Sequence, residues 1–548
     1  MRRALSAAAV IALMSAVFSI PSAAQAHHDV PEEFGSDWDD PRTAVAPVET
    51  PDTESCEVGI VSHAFDDFTP YESTYTPPTE CGDDWSKIVL RLDGAVEGRQ
   101  YDRLGSLSIG GVPVFKTSTP QPSPEGIEWS VEADLTRYAG LLDSPQPVRM
   151  ELGNVVDDVH TGVLDVDVTL VFYASDEDNP AAEVADLVLP LAEQDESGTG
   201  LTGELEVPRN SERLLADVYA TGSGGGCEEF WYLTAPADAG YSCTSADGPY
   251  REVQVLIDGE VAGIAAPYPH VYTGGWSNPF LWYTLPAPRA FHIQPITYDL
   301  TPYLGRLNDG EAHEVSVRVL GLDEGITGWS TPVGFRVWQD AASEVVEGGV
   351  LSTQTTALSN DSRVEVTDGE TEVVTDAGHR HTVTGWLNTS RGRVMTTVDR
   401  VVGHHSRHVF GPEENPDALA GEWFDVETRT VLNGRSGAEV RKVERTYGID
   451  GRISVDADGR LTTEIELTDE LSTLVSSAHR TVSGGSVRDH YTGEASWDLY
   501  APRPDRHAVG VSTHRYTVLS GTGMGNEECY DRQLRTRNGF VVSDRRRC

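Results

Sequence analysis

Three stretches of this chain place acids, cations and aromatic rings out of phase with the alternation a half-buried strand requires. In Gly98-Arg-Gln-Tyr-Asp102-Arg103 a carboxylate follows an aromatic ring and precedes a guanidinium. An adjacent cation favours the ionised acid, the form needed by a general base or by a group that orients a polar substrate. The same three residues would also make a surface ion pair in a loop. In Gly224-Gly-Gly-Cys227-Glu-Glu229-Phe-Trp231-Tyr two acids sit between a cysteine and an aromatic triplet. That pattern suits either a carboxylate in a cleft or a disulfide loop packed over a hydrophobic edge. Tyr272-Thr-Gly-Gly-Trp276-Ser-Asn-Pro-Phe-Leu-Trp282-Tyr joins glycines, tryptophans and an asparagine in one loop. Aromatic faces stack on the apolar face of a pyranose, so this loop could be a sugar platform; aromatic packing over a core edge is the alternative.

The histidines of His379-Arg-His381 and His404-His405-x-x-His408 raise the question of a metal. On a strand His379 and His381 share a face, but no acidic partner has a matching spacing, and no metal or other cofactor is expected. No G-x-S-x-G elbow or Walker loop occurs.

The elements that must carry these stretches read as strands. Short apolar runs of period two alternate with turn signals, as in Val163-Leu-Asp-Val-Asp-Val-Thr-Leu-Val-Phe-Tyr. Asp93-Gly94, Asp258-Gly259, Asp368-Gly369 and Asp458-Gly459 read as hairpin turns between such runs. Helical periodicity is scarce; Asp134 to Leu142 could form one short helical turn. The chain is therefore all-β, built of sandwiches or barrels. Boundaries are expected at 1–26 for a signal peptide, 27–54 for a flexible lead-in, 55–175 for an N-terminal sandwich, 176–200 for an acidic linker, 201–345 for a second sandwich and 346–548 for a C-terminal β-rich domain. No internal repeat is evident.

Composition narrows the functional classes. Among 548 residues, 41 are Lys or Arg and 87 are Asp or Glu, a formal net charge of −46. A surface this acidic repels nucleic acid and anionic membranes, so neither is an expected partner. Lysine occurs only at 87, 116 and 442. The N-terminus has the form of a secretory signal: Arg2 and Arg3, an apolar run to about Ile20, and Ala24-Gln-Ala26 as a cleavage site. An exported protein that keeps no membrane anchor follows. Six cysteines in such a chain read as disulfides, and their grouping favours Cys56–Cys81, Cys227–Cys243 and Cys529–Cys548.

Taken in order, these segments resemble the peptide-N-glycosidase A family, glycoamidases that remove N-glycans from asparagine. The resemblance is carried by Thr79-Glu-Cys-Gly-Asp-Asp-Trp85, Gly98 to Arg103, Gly126-Ile-Glu-Trp129, Asn154-Val-Val-Asp-Asp158-Val-His-Thr-Gly, Val207-Pro-Arg-Asn210, Glu229-Phe-Trp-Tyr232, Gly248-Pro-Tyr-Arg-Glu-Val253, Thr273-Gly-Gly-Trp276 and Tyr298-Asp-Leu-Thr-Pro-Tyr-Leu-Gly305. It covers about residues 60–345. The C-terminal third is less similar, with Asn526-Glu-Glu-Cys-Tyr530 among the better pieces. A more distant similarity is to a flavobacterial peptide-N-glycosidase made of two jelly rolls. Tyr101-Asp102-Arg103 resembles its Trp-Asp-Arg motif, and Cys227-Glu-Glu229-Phe matches the spacing of its second acid, with Phe for Trp. A third acid of that enzyme has no clean counterpart here; Asn154, Asp157 and Asp158 lie nearby.

The resemblance implies two jelly-roll-like sandwiches forming one catalytic unit, with the C-terminal domain outside it. It also implies hydrolysis of the amide joining asparagine to the innermost N-acetylglucosamine of a glycopeptide or glycoprotein. Asp102 and Glu229 would be the catalytic acids. Arg103, Asn154, Asp158, Trp231 and Trp276 would bind substrate. The enzyme would work as a secreted monomer. A glycan-binding protein without catalysis and a carboxylate-pair glycosidase on the same scaffold are the alternatives.

Overall fold

The computed structural model describes residues 41–548 except 80, 81, 83, 121, 123–125, 273–284, 435, 436, 478, 479, 500, 502–504, 521–525 and 539. The expected signal segment, the first part of the expected lead-in, Cys81 and Trp276 therefore lie outside the described residues. The architecture is all-β, as the period-two patterning predicts.

The first unit is a sandwich of two four-stranded antiparallel sheets. One has the order Ser55–Phe65, Val163–Ala174, Trp85–Glu97, Ile127–Asp134; the other has the order Tyr71–Tyr75, Gln146–Leu152, Leu104–Ile109, Val112–Ser118. In Val163–Ala174 the alternation is literal. Leu164, Val166, Val168 and Leu170 are buried, while Asp165 and Asp167 face water. Asp134 to Leu142 contributes a 3₁₀ turn, Thr136–Leu141. Asp93-Gly94 is not a turn but lies inside the strand Trp85–Glu97. A Cβ at Gly94 would sit 2.3 Å from the Trp129 ring of the neighbouring strand, so the glycine is there to admit an indole.

The second unit packs a five-stranded sheet on a four-stranded one. The order is Ala192–Glu196, Gly200–Leu205, His313–Leu320, Glu252–Ile257, Glu260–Ala265 in the larger, and Ile296–Asp299, Ser211–Val218, Val333–Gln339, Leu187–Pro190 in the smaller. Strands Leu187–Pro190 and Ala192–Glu196 fall within the stretch read as a linker, which shortens to about 175–186. Ala192–Glu196 is an edge strand exposed along its whole length. Its acidic composition is that of a solvated edge, and composition alone does not separate such an edge from a tether.

The third unit is one eleven-stranded antiparallel sheet from Glu347 to Arg546. From Glu370–Thr389 onward each strand pairs with its neighbour in sequence. Asp258-Gly259 and Asp368-Gly369 occupy hairpin turns, all four residues with positive φ. Asp458-Gly459 also turns between paired strands.

The units join through buried contacts. Every residue of Val112–Ser118 is buried. The Tyr219 hydroxyl donates to the Val114 carbonyl at 2.8 Å. Ser118 N donates to Ala290 O at 2.8 Å and Ile293 N to Lys116 O at 2.9 Å. Such an interface is what two acids from separate sandwiches would require, since a misplacement of about 1 Å can cost about 100-fold in rate. Between the second and third units, Arg289 binds Asp469 through two hydrogen bonds of 2.5 and 3.0 Å. Arg400 grips Asp425 at 2.7 and 2.6 Å and also donates to the Thr297 carbonyl at 3.2 Å. The lead-in forms a strap. Val48 N donates to Glu132 at 3.3 Å, Tyr516 to Glu49 at 3.0 Å, and Arg532 to the Thr43 carbonyl at 3.3 Å.

Candidate active site

Asp102 lies in the short connection between strands Trp85–Glu97 and Leu104–Ile109, half-buried. The connection is fixed by its own backbone. Arg103 N donates to Thr119 Oγ1 at 2.9 Å, Thr119 N returns to Arg103 O at 2.8 Å, and Tyr101 N donates to Gln100 Oε1 at 3.0 Å. The Arg103 guanidinium is half-buried beside the acid, donating to Gln100 Oε1 at 2.7 Å and Asn154 Oδ1 at 3.4 Å. Burial pulls its pKa below the usual arginine range, and the Asp102 carboxylate opposes that pull.

Asn154 is fully buried and does not face solvent. Its amide nitrogen donates to Phe65 O at 2.9 Å and Gly162 O at 3.1 Å. Its oxygen accepts from Val155 N at 2.9 Å and from Arg103. The expectation that Asn154 contacts substrate is thus corrected: it holds the loop and the arginine that hold Asp102. Asp158 is exposed at the tip of the same loop.

Glu229 comes from the second unit, on the 3₁₀ segment Gly225–Leu233. The two adjacent acids of this segment have opposite fates. Glu228 is buried, accepting from Arg251 Nη2 at 2.7 Å and Nε at 2.9 Å and from Trp329 Nε1 at 2.6 Å. Glu229 is half-buried, and burial alone raises its carboxyl pKa above the usual range. The Cys227–Cys243 disulfide ties down the residue before the pair, which sits at φ 73°, a sparsely populated left-handed conformation. Gly222 lies under the turn, where a Cβ would come 2.4 Å from the Glu228 carbonyl oxygen.

Trp231 is a core residue, not a sugar platform. It is 2% exposed, its ring 6.2 Å from Trp329 and 5.5 Å from Trp423 of the C-terminal sheet. The substrate-binding role that the resemblance implies for Trp231 is therefore corrected. In the fold the indole anchors the Glu229 turn on the third unit. Of the expected disulfides, Cys227–Cys243 and Cys529–Cys548 are present. Cys56 is disulfide-bonded, and its expected partner Cys81 lies outside the described residues. The histidines have separate engagements. His379 meets Glu252 at 2.6 Å, His405 meets Asp376 at 2.7 Å, His408 meets Asp417 at 2.7 Å, and His404 meets Ser406 at 3.0 Å.

Tyr272 stands at the start of the aromatic loop. It is buried in the second unit. Burial lifts its phenol well above the ordinary range, and the charges of Glu229, Tyr232 and Asp102 add to the lift. The Tyr272 ring stacks on His270 at 5.7 Å. Burial, with the Arg289 and Lys116 charges, holds His270 well below its ordinary pKa, so that imidazole is neutral. Sequence patterning does not reveal this arrangement, because it depends on which buried faces meet across the two units.

Lys116 is buried at that junction, and its Nζ has no hydrogen-bond partner among the described residues. Burial, opposed by Glu196 and Glu151, brings its pKa down to about 8. A base whose folded pKa lies below its unfolded value destabilises the protein while it must stay charged. That penalty is complete below pH about 8 and fades as the pH rises toward 10.5. Lys116→Met should therefore raise unfolding stability at pH 7 by about 2–3 kcal/mol. The gain should shrink when urea unfolding is repeated near pH 10. A variant less stable than the parent at pH 7 would show that the ammonium has a partner.

Residues 45–355 match the family described as peptide N-acetyl-beta-D-glucosaminyl asparaginase amidase A. The chain is 31% identical over 401 residues to peptide-N4-(N-acetyl-beta-glucosaminyl)asparagine amidase A of Prunus dulcis, covering 67% of this chain and 69% of that relative. One solved structure, a peptide-N(4)-(N-acetyl-beta-D-glucosaminyl) asparagine amidase, aligns with 52% of this chain and 96% of its own at 13% identity and a TM-score of 0.34. A second, of PNGF-II, aligns with 52% of this chain and 65% of its own at 11% identity and a TM-score of 0.36.

Proposed function

The chain belongs to the peptide N-acetyl-beta-D-glucosaminyl asparaginase amidase A family, and from that premise we propose that it is a secreted, monomeric hydrolase of N-glycopeptides using Asp102 and Glu229. It cleaves the amide between an asparagine side chain and the innermost N-acetylglucosamine. The observation that carries the site assignment is the placement of both acids, half-buried, on pinned segments: Asp102 beside the Thr119 and Gln100 contacts, Glu229 beside the Cys227–Cys243 disulfide. Both acids come from one chain, so one copy suffices. Disulfides at Cys227–Cys243 and Cys529–Cys548 suit an oxidising compartment.

Amide hydrolysis needs an activated nucleophile, a stabilised oxyanion and a protonated leaving nitrogen. Water supplies the nucleophile. Its oxygen adds to the asparagine side-chain carbonyl carbon, the C–N bond breaks, and the nitrogen leaves as a glycosylamine that later loses ammonia. Asp102, beside the Arg103 guanidinium, takes the water proton or orients the amide and first sugar. Glu229 is supplied by the second sandwich. Its raised pKa lets it keep a proton to higher pH than an exposed glutamate, which suits donation toward the carbonyl or leaving nitrogen. Asn154 positions Arg103 and touches no substrate.

Mass spectrometry of a defined N-glycopeptide incubated with the chain in heavy-oxygen water tests this reading. Water attack gives a peptide with one heavy oxygen in a new aspartate. A peptide that retains N-acetylglucosamine on asparagine would mean a glycosidase. Unchanged glycopeptide across several glycan types would mean a binding protein.

A further inference from the structure

We propose that an apolar rim beside Asp102 is the subsite for the peptide part of the substrate and favours apolar residues flanking the glycosylated asparagine; this rests on the glycoamidase reading. Among the described residues of the first sandwich, the large apolar side chains left exposed are Phe68, Tyr101, Val155, Val156 and Val159. Phe68 is 70% exposed and Val159 51%. In the second sandwich the described residues leave only Val345, at its C-terminal end, exposed. Scattered apolar exposure is ordinary in a soluble protein. Here it is gathered at one place, next to the proposed catalytic acid.

Two loops and Tyr101 make one surface. Asn154 N donates to the Asp67 carbonyl at 2.9 Å, joining the loop after Phe65 to the loop at 153–162. The Phe68 ring lies against Gly153, where a Cβ would be 2.5 Å away. The Tyr101 and His160 rings are 5.3 Å apart. Gln100 Nε2 donates to the Val155 carbonyl at 2.8 Å, so the residue that holds Arg103 also holds the rim.

The rim is set in shape. Asp157 accepts from Val159 N and His160 N, both at 2.7 Å, closing a turn that presents the valines outward. Thr161 N donates to the Arg99 carbonyl at 2.8 Å. A rigid apolar surface gains contact area on binding without an ordering cost. Continuity with the site identifies the occupant. Tyr101 adjoins Asp102, and the scissile carbonyl is only two carbons from the peptide backbone. With the glycan held by Asp102 and Glu229, the peptide lies on the lip beside Asp102. Asp157 and Asp158 give this lip negative charge, which disfavours acidic peptides.

The test uses the full chain and glycopeptides that carry one glycan and differ only beside the asparagine, with leucine, serine or aspartate there. Conversion of asparagine to aspartate is followed by mass. We expect kcat/KM for the leucine peptide to exceed that for the aspartate peptide by about tenfold or more. The double variant Val155→Ser, Val159→Ser should remove most of the leucine preference by raising KM. It should leave kcat, and turnover of the serine peptide, near wild type. Equal kcat/KM across the peptides, or a preference unchanged in the double variant, would overturn the rim assignment alone. No conversion of any peptide would overturn the parent reading and the rim with it.

Discussion

Asp102→Asn should leave the protein folded and lower kcat/KM on an N-glycopeptide by about 1000-fold or more, the scale associated with loss of a general base together with oriented charge. The change preserves size and hydrogen-bonding capacity and removes only the carboxylate charge. The backbone of the connection does not depend on that charge. It is tied to Thr119 and Gln100 through main-chain groups. Arg103 keeps its bonds to Gln100 and Asn154. Circular dichroism and Tm should therefore match the parent while turnover disappears. Wild-type turnover by Asp102→Asn would sink the assignment of the base.

The second large effect separates two neighbouring residues of one type. Glu228→Gln should cost about 3–5 kcal/mol of stability, because it leaves the buried Arg251 guanidinium without its charge partner. On the order of a 10 °C fall in Tm follows for a unit of this size. Glu229→Gln should do the reverse. A carboxyl whose folded pKa is raised above its unfolded value costs stability from the unfolded pKa upward, and the cost is full above the folded pKa. Removing it should therefore leave stability at neutral pH equal or higher, an advantage that vanishes in acid. Its cost should fall on catalysis, about 100-fold or more in kcat/KM. Thermal melts and initial rates on the two variants decide the matter. A stable Glu228→Gln or a fully active Glu229→Gln would reverse the roles given to the pair.

Much of the fold is legible in the sequence because strand burial writes itself with a period of two, as Val163–Ala174 does. Turn chemistry is equally readable where the loop is free to choose it, at Asp258-Gly259 and Asp368-Gly369. It misleads at Asp93-Gly94, where the glycine answers a tertiary demand from Trp129. Of the candidate site, the segments are visible but not the direction in which their side chains point. Glu228 and Glu229 are indistinguishable as letters; Arg251 and Trp329 decide between them, from 23 and 101 residues away. Trp231 looks like a ligand platform until Trp423 closes over it. Tyr272, His270 and Lys116 carry no local signature, because their environment is made by two domains meeting.

The strap at 43–49 has a consequence for biogenesis. Its partners, Tyr516 and Arg532, lie 467 and 489 positions further along the chain. During synthesis this segment emerges before either sandwich, while the strands that receive it are among the last to appear. Domains generally fold as units during synthesis, N-terminal ones first, so the sandwiches can form early. The clasp that binds the first unit to the end of the C-terminal sheet can close only when nearly the whole chain has been released. A product cut short before 516 would keep both proposed catalytic acids and lose this clasp.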